Sequence, residues 1–265
     1  YARGTLAPRE GMEAPVPELR ERHELTMADM GMSGMMGMEG MGDGEDGEGG
    51  EGMEMDDMEG MHGAGSELRP AGTRPEDEMH GPDHHGAGNA GVAMMATSRL
   101  HEAGPGLGDD GWRVLRYTDL EALEPWPDFK EPDREIVMHL TGNMERFMWS
   151  MDGVEFSDAE PVRVEYGERI RLTMINDTMM NHPMHLHGMW MELENGKGER
   201  IPRVHTINVK PAEKVSLLFH ADALGPWAFH CHILYHLDAG MFRVVEVVEA
   251  GTLVDADDAD REEDR

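Results

Sequence analysis

The sequence predicts an all-β sandwich or barrel over residues 99–250, preceded by a long segment with no core of its own. Two observations carry this. From about Arg99 the chain breaks into short apolar runs separated by turn residues, several of them alternating apolar and polar with a period of two. That is the pattern of pleated strands with one buried face. From Met27 to Ser98 the chain is instead methionine, glycine, aspartate and glutamate with scattered histidine, and it holds one Leu, one Val and no aromatic residue. Such a composition buries too little apolar surface to offset backbone entropy, so the segment is expected to be disordered without a ligand.

In chain order, residues 1–26 carry three prolines and no sustained period, and they are expected to be the exit from an absent upstream domain. Residues 27–98 are the Met-rich insert, with fourteen of the 26 methionines in runs such as MADMGMSGMMGMEGM. The strand candidates are residues 134–140 (REIVMHL), 161–167 (PVRVEYG), 169–175 (RIRLTMI), 205–209 (HTINV), 214–219 (KVSLLF), 227–231 (WAFHC) and 242–248 (FRVVEVV). In the third of these, Ile170, Leu172 and Met174 face one side and Arg169, Arg171 and Thr173 the other. Asn195-Gly196 predicts a hairpin turn, and Gly153, Gly167 and Gly225 punctuate other connections. Residues 251–265 read as an acidic, solvated tail.

The net charge of −31 divides into −1 for residues 1–26, −14 for 27–98, −11 for 99–250 and −5 for the last fifteen. Most of that repulsion lies outside the predicted core. An acidic balance of this size cannot neutralise phosphates, which argues against a nucleic-acid partner and favours attraction for cations. No run of 18 apolar residues occurs, so no membrane span is expected. The single cysteine, Cys231, has no partner for an internal disulfide and is a packing residue, a reactive thiol or a metal ligand.

Two histidine clusters decide among these. The first is His182-Pro-Met-His185-Leu-His187-Gly; the second is His230-Cys231-His232-Ile-Leu-Tyr-His236, followed by Met241. A blue-copper site needs two imidazoles and a thiolate in a trigonal plane with a weak axial thioether, and His182, Cys231, His236 and Met241 supply that set. In an extended segment His230 and His232 point away from the face that carries Cys231. His185 and His187 project together in the same way, so four imidazoles are left for other metal ions. The backbone of Cys231 then gives a covalent path from one centre to the other.

HPMHLHG and HCHILYHLDAGM resemble the two carboxy-terminal copper motifs of multicopper oxidases, and the wider sequence, including ARGTLAPREGM and the Met-rich insert, resembles the CopA-type copper-resistance oxidases. The resemblance implies a cupredoxin-like Greek-key β-sandwich for residues 99–250. It implies type 1 copper at His182, Cys231, His236 and Met241, a type 2 ligand at His185, and type 3 ligands at His187, His230 and His232. It also implies an oxidase that takes electrons from Cu(I) or phenol-like donors and passes them to dioxygen, in the bacterial periplasm. The family completes its trinuclear cluster with two further HxH motifs from an amino-terminal domain. None occurs here besides His185-Leu-His187 and His230-Cys-His232, so missing amino-terminal cupredoxin domains are expected partners and this stretch alone is expected to be inactive.

A competing reading is a non-enzymatic copper carrier with the Met-rich tract as a Cu(I) sponge. The four additional imidazoles argue against it, since a simple carrier has no use for them. For the tract itself two readings stand: soft thioethers that capture Cu(I), or a linker. Two also stand for Met179, Met180, Met184, Met189 and Met191 around the first motif: a way in for Cu(I), or core filler. His139, His205 and His220 read as ordinary surface or core residues, and Trp112, Trp126, Trp149, Trp190 and Trp227 as core or interface. The surface carboxylates read as solvation, with a contact to substrate beside an exposed His236 as the second reading for Asp238, and an axial Met241 is expected to hold the type 1 potential at a moderate value.

Overall fold

The computed structural model describes residues 4–16, 18–19, 21–26, 29, 89, 91, 93, 96–108 and 111–253. Nearly all of the Met-rich tract and the end of the acidic tail lie outside the described residues. Eleven strands and one short helix follow one another: β1 (Arg134–Asn143), β2 (Met148–Met151), β3 (Val162–Glu165), β4 (Arg169–Asn176), β5 (His182–Leu186), β6 (Met191–Leu193), β7 (Arg203–Val204), β8 (Thr206–Val209), β9 (Lys214–His220), β10 (Gly225–Cys231), α1 (Leu234–Asp238) and β11 (Phe242–Val248). They form two mixed sheets, of order β2-β1-β4-β9-β6-β7 and β3-β11-β10-β5-β8. This is the all-β sandwich that the sequence predicts.

The core lies between the sheets. From the first come Leu140, Trp149, Ile170, Leu172, Met174, Leu217 and Phe219; from the second come Val164, Met184, Leu186, Ile207, Phe229, Val245 and Val247. β9 shows the expected alternation, with Val215, Leu217 and Phe219 inward. β4 departs from it, since every one of its residues is buried. Ile170, Leu172 and Met174 enter the core, while the opposite face is covered by partners of matching polarity. Arg169 pairs with Glu192, Arg171 with Glu194 at 2.8 Å, and Thr173 donates to Glu135 at 2.6 Å. Arg203 also pairs with Glu192 at 2.8 Å and lies 3.8 Å from the ring centroid of Trp126, and Arg169 lies over Phe129. The segment before β1 is thereby fixed across the sheet by cation–π contacts, and Asp128 adds an ion pair to Arg203 at 3.0 Å.

Asn195-Gly196 does not close a two-residue hairpin. It opens the longer connection from β6 to β7, because Asn195 Nδ2 donates to the carbonyls of Tyr117 and Leu120 at 2.8 Å and so holds the earlier segment instead. The tight turn falls at Asp152 and Gly153, with φ of +53° and +72°. The strands β2, β5, β6 and β7 are not among the apolar runs, being short or occupied by histidine and methionine. Of the tryptophans, Trp149 is fully buried whereas Trp112 and Trp190 are exposed. The chain just before Arg99 joins the sandwich: Ala96 is buried, Thr97 pairs with Glu213, and the Ala93 amide donates to Asp177 at 3.0 Å.

Glu192→Ala would leave the buried Arg169 without its carboxylate, and breaking such a pair costs about 3–5 kcal/mol. Denaturant unfolding followed by circular dichroism should show a loss of that order, and a change below about 1 kcal/mol would show that Arg169 does not depend on Glu192.

Candidate metal centre

β5 and β10 run antiparallel in the second sheet, with His230 opposite His185 and Cys231 opposite Met184. Directly opposed residues share a face and successive residues alternate. Cys231, Met184 and His182 therefore point into the sandwich and are fully buried, while His230, His185 and His187 point out of it.

The inward group closes through the loop between β10 and β11. One turn of helix, α1, returns His236 to Cys231, and the chain then folds back so that the Met241 amide donates to the His236 carbonyl at 2.9 Å and the Cys231 amide to the Met241 carbonyl at 3.2 Å. Gly240 makes this reversal with φ of +115°, and a Cβ there would lie 2.4 Å from the Trp149 carbonyl. Only glycine satisfies both conditions. Cys231 Sγ lies 3.7 Å from His182 Nδ1 and 3.6 Å from His236 Nδ1, and the two nitrogens are 3.1 Å apart. Three N and S donors bound in one plane at ordinary metal–ligand lengths stand about 3.5–3.8 Å apart, so this triangle accepts a single ion with only a slight opening. Met241 is fully buried in the same core cluster.

His236 is 1% exposed, which corrects the expectation of an exposed imidazole; Asp238 itself is exposed. The β1–β2 hairpin covers it. Trp149 packs on His236 with ring centroids 4.2 Å apart and on His182 at 5.1 Å, and its amide donates to the Ala239 carbonyl at 3.0 Å. Phe147, held at φ of +50° and 46% exposed, lies 6.1 Å from His236 and 5.8 Å from Trp149. A bulky residue with positive φ is uncommon and is retained where its surroundings require it. Neither aromatic could be singled out from sequence, since neither carries a metal-ligand signature.

The outward group joins His185, His187 and His230, whose nitrogens lie within 4.8 Å of one another, with His187 Nε2 3.1 Å from His230 Nε2. Two of these rings are oriented by backbone carbonyls: His230 Nδ1 donates to Cys231 at 3.0 Å, and His185 Nδ1 to His205. Both leave Nε2 for a metal. His232 is exposed and stands at the margin, its ring 5.9 Å from His230 and 5.7 Å from His185. Met184, Met189 and Met191 are core residues, whereas Met179 is exposed.

A family model described as multicopper oxidase matches residues 129–251. Over 94% of its length the chain is 48% identical to Copper resistance protein A of Escherichia coli and 46% identical to the Copper resistance protein A homolog of Pseudomonas syringae pv. tomato. It spans 44% and 42% of those two proteins. The McoA multicopper oxidase of Aquifex aeolicus is similar at a TM-score of 0.40 and 24% identity, over 47% of this chain and 31% of that one. The donor set found here, two imidazoles and a thiol in a triangle with a buried thioether in the same cluster, fits the copper of this family.

Burial sets the protonation of these donors. It draws His182 down to about 3, with His236 adding a smaller push, and it lowers His236 as well. Burial and the neighbouring imidazoles lower His187 and His230. The Cys231 thiol is pushed up to about 11. At neutral pH the inward imidazoles are therefore already deprotonated and only the thiol carries a proton that a metal must displace. Between about pH 7 and 9 the affinity of this site for Cu(II), followed through its thiolate-to-copper absorption, should rise about tenfold per pH unit, with one proton released per ion. A slope of about two would show that an imidazole also has to lose a proton.

Proposed function

We propose that this chain supplies the carboxy-terminal module, residues 99–250, of a copper-dependent oxidase that takes electrons one at a time from Cu(I) or a phenol-like donor and delivers them to dioxygen. The observation that carries the reading is that two donor sets lie back to back across a single peptide unit. His182, Cys231, His236 and Met241 are the type 1 set; His185, with His187, His230 and His232, is half of a cluster for type 2 and type 3 copper. Copper supplies the redox chemistry, accepting single electrons at the first set and, at the completed cluster, giving four of them to dioxygen, which with four protons becomes two waters.

The chain's own residues supply position and connection. The Cys231 backbone leads directly to His230 and His232, and the hydrogen bond from His230 Nδ1 to the Cys231 carbonyl adds a second, shorter link between the same two groups. Trp149 and the core exclude water from the inward set, which protects it from competing ligands. Two further imidazole pairs must come from outside this stretch, and the chain spans less than half the length of the relatives it resembles. The outward imidazoles, two of them already oriented through Nδ1, favour this reading over a simple electron carrier. The names of those relatives support a role in copper resistance, and the family resemblance supports a periplasmic site of action. The Met-rich tract then serves to capture Cu(I), for which thioethers are suited.

Loaded with Cu(II), the chain should show an intense blue band and narrow copper hyperfine splitting in EPR, with about one such copper per chain, and no dioxygen consumption. A folded chain without a blue band would remove the proposal. Met241→Leu should raise the potential of the blue copper in a redox titration, and an unchanged potential would refute the axial role. In the complete oxidase, Phe147→Ala should speed oxidation of bulky phenols at least several-fold by thinning the cover on His236 while leaving the blue spectrum in place; equal rates would show that donors approach elsewhere.

A further inference from the structure

His182 reaches its site from the end of β5, and its far nitrogen is held by a polar relay that no metal-ligand pattern in the sequence includes. Nε2 lies 2.7 Å from Thr178 Oγ1. Thr178 Oγ1 is in turn 2.8 Å from Asn176 Oδ1, and the Thr178 amide donates to that same oxygen at 2.9 Å. Asn176 Nδ2 donates to the carbonyls of Met180 at 2.7 Å and Val209 at 3.1 Å. Asn176 and His182 are fully buried and Thr178 nearly so. We infer that Thr178, held by Asn176, is the positioning residue that fixes His182 in the tautomer and orientation its metal site needs, a role that rests on the type 1 reading above.

Counting protons leaves one arrangement. With Nδ2 committed to two carbonyls, the Asn176 amide can present only Oδ1 to Thr178. Oδ1 accepts at 2.8 Å, closer than the other carbonyl within reach of the hydroxyl, that of Met180 at 3.3 Å, so the single hydroxyl proton of Thr178 is directed toward Oδ1 and the lone pairs of Oγ1 are left to receive. One receives the Met180 amide at 3.2 Å; the other faces His182 Nε2, which must therefore carry the ring proton. Nδ1 is left with a free lone pair, aimed at the Cys231 and His236 donors. The relay thus does for His182 what backbone carbonyls do for His185 and His230, with the opposite nitrogen protonated, and it does so before any metal arrives. The relay is anchored through the backbone of Asn176. The Asn176 amide donates to the Glu213 carbonyl and its carbonyl accepts from Ala212, each at 3.0 Å, so Thr178 cannot drift away from the β4–β5 connection.

The test uses the whole chain, as wild type, Thr178→Val and Thr178→Ser. In the metal-free protein, nitrogen-15 NMR of the imidazoles should show His182 as the Nε2–H tautomer in the wild type and in Thr178→Ser, and as a mixture in Thr178→Val. With Cu(II), Thr178→Val should bind at the blue site about 10–100-fold more weakly, the usual effect of removing an outer partner of a ligand, and its EPR hyperfine splitting should change. Thr178→Ser should restore both. A wild-type His182 found as the Nδ1–H tautomer, or a folded Thr178→Val chain with unchanged affinity and spectrum, would overturn the inference. Absence of a blue band in the wild type would instead defeat the type 1 reading, and the metal-free tautomer would still decide the part played by Thr178. Should Thr178→Val fail to fold, the wild-type tautomer alone decides: Nε2–H upholds the inference and Nδ1–H overturns it.

Discussion

The antiparallel pairing of β5 with β10 is the constraint on which the remainder of the molecule depends. Because residues alternate across a strand, this one register places Cys231 and His182 inside the sandwich and His230, His185 and His187 outside it. A slip by one residue would exchange the two faces, leaving a thiol in solvent and imidazoles against the apolar core. The rest of the sheet resists that slip. β8 pairs with β5 so that His182 stands opposite Val209, and β11 pairs along β10 from Gly225 to His230.

The price of putting four polar donors in a core is a local environment that must be finished on every side. Burial favours neutral imidazoles and a protonated thiol, and the surrounding packing holds them near the spacing of a bound ion. The β1–β2 hairpin contributes Trp149 over both rings, and the glycine at 240 lets the ligand loop pass against that strand's backbone. The opposite sheet meets the same demand with charge: β4 buries two arginines on its outer face by matching them to Glu192 and Glu194. Both solutions follow one rule, that a buried polar group needs a partner of complementary chemistry close by.

Much of this was legible in the sequence. The seven apolar runs became strands, and β11 spans Phe242–Val248 as its alternation indicates. The two donor sets separated as the period of two requires. What escaped reading had physical reasons. Strands such as β5 and β6 are spelled in histidine and methionine, which carry little apolar pattern. Thr178 looks like any loop threonine until the fold brings it against His182. The exposure expected for His236 failed because its cover comes from Phe147 and Trp149, some ninety residues earlier, through a turn whose geometry leaves no mark in the composition.

For the oxidase proposed above, with Cu(I) among its donors, the covered inward set has a further consequence. His182, Cys231 and Met241 are fully buried and His236 is nearly so, and therefore no ligating atom offers an edge to an ion in solution. An electron can cross the ring of Trp149 or Phe147, but an ion cannot. Where the donor is Cu(I), cargo and cofactor are the same element and would otherwise exchange freely at so soft a site. In that oxidase the aromatic cover would sort them kinetically, letting charge through while a bound metal keeps its place for as long as the loop between β10 and β11 stays closed.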